Sequence, residues 1–144
     1  MKSSLFSLLA AVLLLVSCAK KTTPTVDAAT PLAGTYWKLV ELNGQPFATS
    51  GKPAFLLLQA DGKFSGSAGC NTILGGYETQ NNFNLQFKSN MASTMMACPN
   101  QATEDAFKQM LADVNNYAIA GDKLSLSKNR MAPAARFEKS VQPK

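Results

Sequence analysis

The sequence predicts an α+β domain, a small antiparallel β-sheet of short hairpins covered by one amphipathic helix. Three observations carry that expectation. Short apolar runs alternate with Asn-Gly, Asp-Gly and Gly-Asp turn pairs through most of the chain. A single segment, residues 101 to 114, has the helical period instead. Glycines at 62, 66, 69, 75 and 76 suit the turns and bulges of a strongly curved sheet.

The elements follow in order. Residues 36–42 contain Trp37, Leu39 and Val40 and end at the turn Asn43-Gly44. Residues 54–58 form an apolar strand, Asp61-Gly62 a hairpin turn, and residues 63–67 the returning strand. Residues 75–79 and 83–87 flank a polar tip at Gln80-Asn81-Asn82, which predicts a second hairpin. Residues 117–120 and 124–127, joined by Gly121-Asp122, predict a third, and residues 134–137 close the sheet. In the helical segment, Ala102, Ala106, Phe107, Met110, Leu111 and Val114 make a stripe at spacings of three and four. Asn100 is its expected cap, Glu104 and Asp105 suit its positive end, and Asn115-Asn116 stop it.

The N-terminus is of another kind. Lys2 precedes the apolar run Leu5 to Val16, which is short for a membrane span and has the layout of an export signal. Leu15-Val16-Ser17-Cys18 looks like a bacterial lipobox, in which Cys18 is lipidated and becomes the mature N-terminus. The expected organisation is a signal peptide over 1–17, a lipidated cysteine and tether over 18–31, a folded domain over 32–138, and a disordered tail over 139–144. The tether, "AKKTTPTVDAATP", has too little apolar surface for a core. Cleavage before Cys18 removes one of 14 basic residues and leaves a net charge near +4. These charges are scattered, with no basic stripe interleaved with aromatics, so no nucleic-acid partner is expected.

Candidate chemistry is sparse. Histidine is absent from all 144 residues, which removes Ser-His-Asp and Cys-His catalysis and most transition-metal sites. Ser125-Leu-Ser-Lys128 matches a serine-hydrolase pattern, but it lies on an alternating strand and lacks its companion motifs. The glycines have no Gly-Lys-Ser/Thr beside them, so no phosphate loop is expected. Nine carboxylates fall mostly in turns or on the solvated helix face, and no acid–base pair stands out. Met91, Met95 and Met96 offer a soft surface, although methionine more commonly fills gaps in a core. No enzyme activity, metal or cofactor is expected. Cys70 and Cys98 are the thiols of the folded domain. In an oxidising envelope two such cysteines usually pair, and two free buried thiols remain the alternative.

Trp37-Lys-Leu39, Gly69-Cys70-Asn71 with Gly76-Tyr77, and Ser93-Thr94-Met95-Met96-Ala97-Cys98 form a distinctive series. With Glu104-x-x-Phe107 and Ala135-Arg136-Phe137, it resembles the META domain, the HslJ-like family of bacterial envelope proteins. The resemblance runs from about Leu32 to Phe137. It departs at Met95, where the family commonly carries Arg or Lys. It implies a barrel-like antiparallel sheet with one helix, often on a lipoprotein, and an association with stress and antibiotic tolerance. No enzymatic activity is implied. The functional expectation is a monomeric, non-enzymatic binding or stabilising module, anchored by lipid and facing an unknown envelope protein or ligand. Ala19 after the lipidated cysteine favours the outer membrane over the inner. Two other functions fit the same size and staple. One is an inhibitor of an envelope hydrolase, presenting the tip Gln80-Asn81-Asn82 or the turn Asn43-Gly44. The other is a small apolar-ligand carrier, which needs an open interior.

Overall fold

The computed structural model describes residues 30–48 and 51–143. The export signal, Cys18 and the tether up to residue 29 lie outside the described residues. Within them the chain forms β1 (Tyr36–Leu42), β2 (Gln45–Pro46), β3 (Phe55–Leu58), β4 (Lys63–Ser67) and β5 (Thr72–Gln80). It continues through β6 (Asn84–Phe87), β7 (Ala92–Ser93), α1 (Gln101–Asp113), β8 (Asn116–Ala120), β9 (Lys123–Ser127) and β10 (Pro133–Ser140). Eight strands close into an antiparallel barrel in the order β1-β3-β4-β5-β6-β8-β9-β10, and β10 returns to β1. The two short strands are extras: β2 folds back on β1, and β7 adds two pairs to β5.

Closure depends on the first and last strands. Tyr36 lies opposite Ser140 and Leu42 opposite Ala135, with a bulge between Leu39 and Glu41. The expected final strand at 134–137 is therefore longer, and Lys139 and Ser140 belong to the sheet instead of the tail. Lys139 faces Trp37 across the ladder.

The alternating sequence sorts side chains to the two faces. In β9, Leu124 and Leu126 point inward and are fully buried, while Ser125 stays on the outer side with partial exposure. The Ser-x-x-Lys pattern thus lies on a strand, and Lys128 is tied to Asp113 at 3.1 Å. Trp37, Leu39, Leu56, Leu58, Phe64 and Phe137 are almost without exposure and fill the interior. An eight-stranded barrel is just wide enough for this. These side chains occupy the interior that the carrier reading would need.

A closed barrel opens its interior only at its ends. Phe107, Met110, Leu111 and Val114 of α1 join the same buried cluster as the barrel interior, so α1 covers an end. Register says which one. Leu42, Ser67, Thr72 and Ser127 lie at one end, and Tyr36, Leu58, Lys63 and Ala120 at the other. The ring of Phe107 approaches Gly66, next to Ser67, which places α1 at the first end. The N-terminal segment is fastened at the second. There Gly34 N donates to Leu58 O at 2.8 Å, Trp37 Nε1 to Leu32 O at 3.0 Å, and Thr30 Oγ1 to Asp122 at 2.9 Å. The Thr30 hydroxyl, and after it Lys139, holds the exposed Asp122 carboxyl below the usual aspartate range.

The glycines divide by cause. Gly62 sits at φ +81° in the β3–β4 turn. Gly75 lies within β5, where a Cβ would stand 2.8 Å from Cε1 of Phe64 and 3.2 Å from Cγ of Met91. The Phe64 ring cannot give way readily, because it is buried and packs edge-on against Phe87 at 4.7 Å. Gly75→Ala should therefore cost about 1–3 kcal/mol by overpacking. Urea unfolding should show a lower midpoint with an unchanged slope, and an unchanged midpoint would refute the close approach.

Candidate functional site

The chain around Cys70 is built to turn its backbone donors toward one point. Gly69 sits at φ +108°, outside the range of ordinary L-residues, and its N–H donates to Ser67 Oγ at 3.0 Å. The next two N–H groups, of Cys70 and Asn71, both point at the carboxylate of Glu104, each at 3.2 Å. Glu104 is 2 % exposed and belongs to the first turn of α1, where the helix dipole also favours an anion. The turn begins at the expected cap, with Thr103 N donating to Asn100 Oδ1 at 3.2 Å. None of the ion pairs among the described residues involves Glu104. Two backbone amides and the helix terminus thus stand in for a cation.

Asn71 ties the same turn to residues 94–98. It is 3 % exposed, and its amide uses both ends. The carbonyl oxygen accepts from Thr94 Oγ1 at 2.9 Å and from Met96 N at 2.8 Å. The Nδ2 group donates to Met96 O at 3.3 Å and lies 2.9 Å from Cys98 Sγ. Thr94 completes the join by exchanging bonds with the backbone of Thr72, each at 3.0 Å. The sulfurs of Cys70 and Cys98 lie at bonding distance, 2.09 Å, with Cα atoms 6.0 Å apart. No buried side-chain nitrogen or oxygen among the described residues lacks a partner.

A groove of about 700 Å³ opens beside this clamp at the α1 end of the barrel. Leu42, Pro46, Phe47, Ala68, Met96 and Ala106 give it an apolar lining, with Asn43, Lys52, Asn100 and Thr103 at its polar positions. Its walls come from the β1–β2 hairpin, the clamp and the start of α1. Such a surface can bind; it carries no nucleophile with a base beside it. Among the described residues no three His, Cys, Asp or Glu side chains gather to hold a metal ion.

The residues singled out in the sequence fall into three groups. Gly69, Cys70, Asn71, Thr94, Met96 and Cys98 converge at the clamp. Trp37, Phe107 and Phe137 are core. Tyr77 is also core, with its hydroxyl donating to Gln59 O at 2.7 Å, whereas Gly76, Ser93 and Ala97 stand apart from both, Ala97 being exposed. Two expectations are corrected. Glu104 is not on the solvated helix face but buried beneath it. It follows the stripe at spacings of three and four with Phe107 and Leu111, so a carboxylate in register with the apolar face was the available signal. The methionines do not all fill the core: Met91 packs against it, whereas Met95 is 97 % and Met96 53 % exposed.

Glu104→Gln provides a direct check of the clamp. Its carbonyl can serve one backbone N–H, but its amide group would oppose the other, at roughly 1–3 kcal/mol. The variant should melt earlier than wild type, and equal melting would show that the paired N–H contacts contribute nothing.

Comparisons with known proteins give a family by one route and the fold by another. A model of the META domain matches residues 30–141. A protein from Burkholderia xenovorans solved by NMR is 25 % identical with a TM-score of 0.60, over 77 % of this chain and 85 % of that one. A DUF4847 family protein from Bacteroides vulgatus, solved by crystallography, shares the fold at 18 % identity. Its TM-score is 0.58, over 77 % of this chain and 96 % of that one. No curated protein matches the sequence.

Proposed function

Because the chain belongs to the META domain family, we propose that it is a lipid-anchored, non-enzymatic binding module of the bacterial envelope whose working surface is the groove beside Cys70 and Cys98. The observation that carries this reading is the placement of the groove. The chain enters the barrel at the Tyr36 end, where Thr30 and Leu32 are fastened, and the groove opens at the opposite end. The seven residues of β1 separate the two by roughly 20 Å. A chain held to a membrane through Cys18 would therefore be attached at the end away from its groove, leaving the groove clear of the attachment point. The lipobox supports the anchor, since two or more acyl chains hold stably where one does not. A role in stress or antibiotic tolerance is the physiology that accompanies this family.

A photo-crosslinking amino acid at Phe47 or Met96 should capture an envelope component in intact cells, while one at Lys63, at the entry end, should not. Equal capture from both ends would remove the groove from the proposal. The inhibitor reading retains one favourable observation, the half-exposed Phe83 beside the Asn81-Asn82 tip. Capture of a hydrolase from Phe83, and of nothing from the groove, would favour it.

Two further outcomes follow from the anchor and the clamp. Cys18→Ala should shift the protein from the membrane fraction to the soluble one; continued sedimentation with membranes would exclude lipidation as the anchor. In the oxidised protein, Cys70 and Cys98 should resist alkylation until a reductant is added. Reduction should then lower stability by roughly 3–4 kcal/mol, the loop-closure value for a separation of 28 residues. Alkylation of both thiols without reductant would show that they are free.

A further inference from the structure

A second hollow lies on the outer wall of the barrel, away from the groove, and carboxamides make up all of its lining except Glu78 and Leu85. It has a volume of about 200 Å³ and is bordered by Gln80, Asn84, Gln86, Asn115, Asn116 and Asn129. Cross-strand register explains how the first three meet. Gln80 lies opposite Asn84 and Gln86 opposite Glu78, so their side chains share the outer face of the β5–β6 hairpin. Asn84 in turn faces Asn116 across the β6–β8 seam.

Structure accounts for half of these amides. Asn115 Nδ2 donates to Asn129 Oδ1 at 2.7 Å, and Asn116 Nδ2 donates to Asn115 Oδ1 at 3.0 Å and to Asn129 O at 2.8 Å. Asn129 holds φ +54°, a conformation that asparagine tolerates. This network ties the start of β8 to the turn after β9. The β6–β8 seam, with a single residue pair in its ladder, is held by the backbone bonds Leu85 N to Asn115 O at 3.2 Å and Tyr117 N to Phe83 O at 2.7 Å. Gln80, Asn84 and Gln86 take no part in the network and add their amides to the same hollow.

We propose that this hollow binds a neutral, hydroxyl-rich ligand, a sugar unit of an envelope glycan. A carboxamide presents a donor and an acceptor side by side, and a sugar hydroxyl is both at once. Charge excludes the other common ligands. No lysine or arginine lines the hollow to attract a phosphate or carboxylate. Its one carboxylate, Glu78, is engaged by Lys88 at 2.9 Å, which leaves nothing to hold a cation. The backbone beneath Gln80, Asn84 and Gln86 is held by strand pairing, and the amides of Asn115, Asn116 and Asn129 are held by their mutual bonds.

The test is saturation-transfer NMR on the detergent-solubilised full chain, with two probes, chitotetraose and maltotetraose. Transfer to either probe, lost in the double variant Gln80→Ala/Gln86→Ala with melting unchanged, is the expected result. An N-acetylhexosamine preference would point to the glycan strand of the wall and a glucose preference to a surface polysaccharide; both support the site. Gln86→Glu, which keeps the shape and adds charge, should weaken transfer several-fold even if the double variant is unstable. Absence of transfer to both sugars overturns the proposal, as does transfer that survives all the substitutions. The groove crosslinks are unaffected by either outcome.

Discussion

A carboxylate buried without a cation organises one whole end of this molecule. Glu104 can remain there because two consecutive backbone N–H groups and a helix terminus converge on it. Those amides point the same way because Gly69 adopts a backbone conformation closed to other residues. The dependence also runs outward. The carboxylate fixes the start of α1 against the turn at Cys70, and the position of α1 sets both the end cover of the barrel and one wall of the groove.

The polar knot and the apolar core serve different purposes. Burying Trp37, Phe64, Phe107 and Phe137 supplies the bulk of the driving force, of order 25 cal/mol per Å² of apolar surface. Such burial is nearly indifferent to small shifts between elements. Hydrogen bonds are directional, and leaving one unmade in a buried site is costly. The amide of Asn71, committed at both its oxygen and its nitrogen, therefore specifies where residues 94–98 lie in a way that apolar contacts could not. Those residues are otherwise an exposed loop with two methionines facing solvent.

Much of this was legible in the sequence. The hairpins at Asp61-Gly62 and Gly121-Asp122, the cap at Asn100 and the burial of Phe107 and Leu111 all follow from local rules of period and turn chemistry. The strand that starts at Thr72 was less visible, because Gly75 and Gly76 interrupt its apolar pattern; they do so to admit Phe64 and the stem of Lys88. Barrel closure came from the family resemblance, since pairing of Tyr36 with Ser140 leaves no local trace. The burial of Glu104 was written in its spacing from Phe107 but outweighed by its suitability for a helix start. The amide-lined hollow was beyond reach altogether, because Gln86 and Asn129 meet only through the stagger of the closed sheet.

Closure of the barrel by its outermost strands has a kinetic consequence for the export proposed above. The ladder between β1 and β10 joins residues about a hundred positions apart, and such contacts form late because the intervening loop must first be ordered. Until residues 133–140 have been synthesised, β1 has no final partner, and Trp37, Leu39 and Phe137 cannot come together as one core. A nascent chain of this design stays threadable for as long as it is incomplete. It becomes a closed, unthreadable body once its last strand can pair with its first.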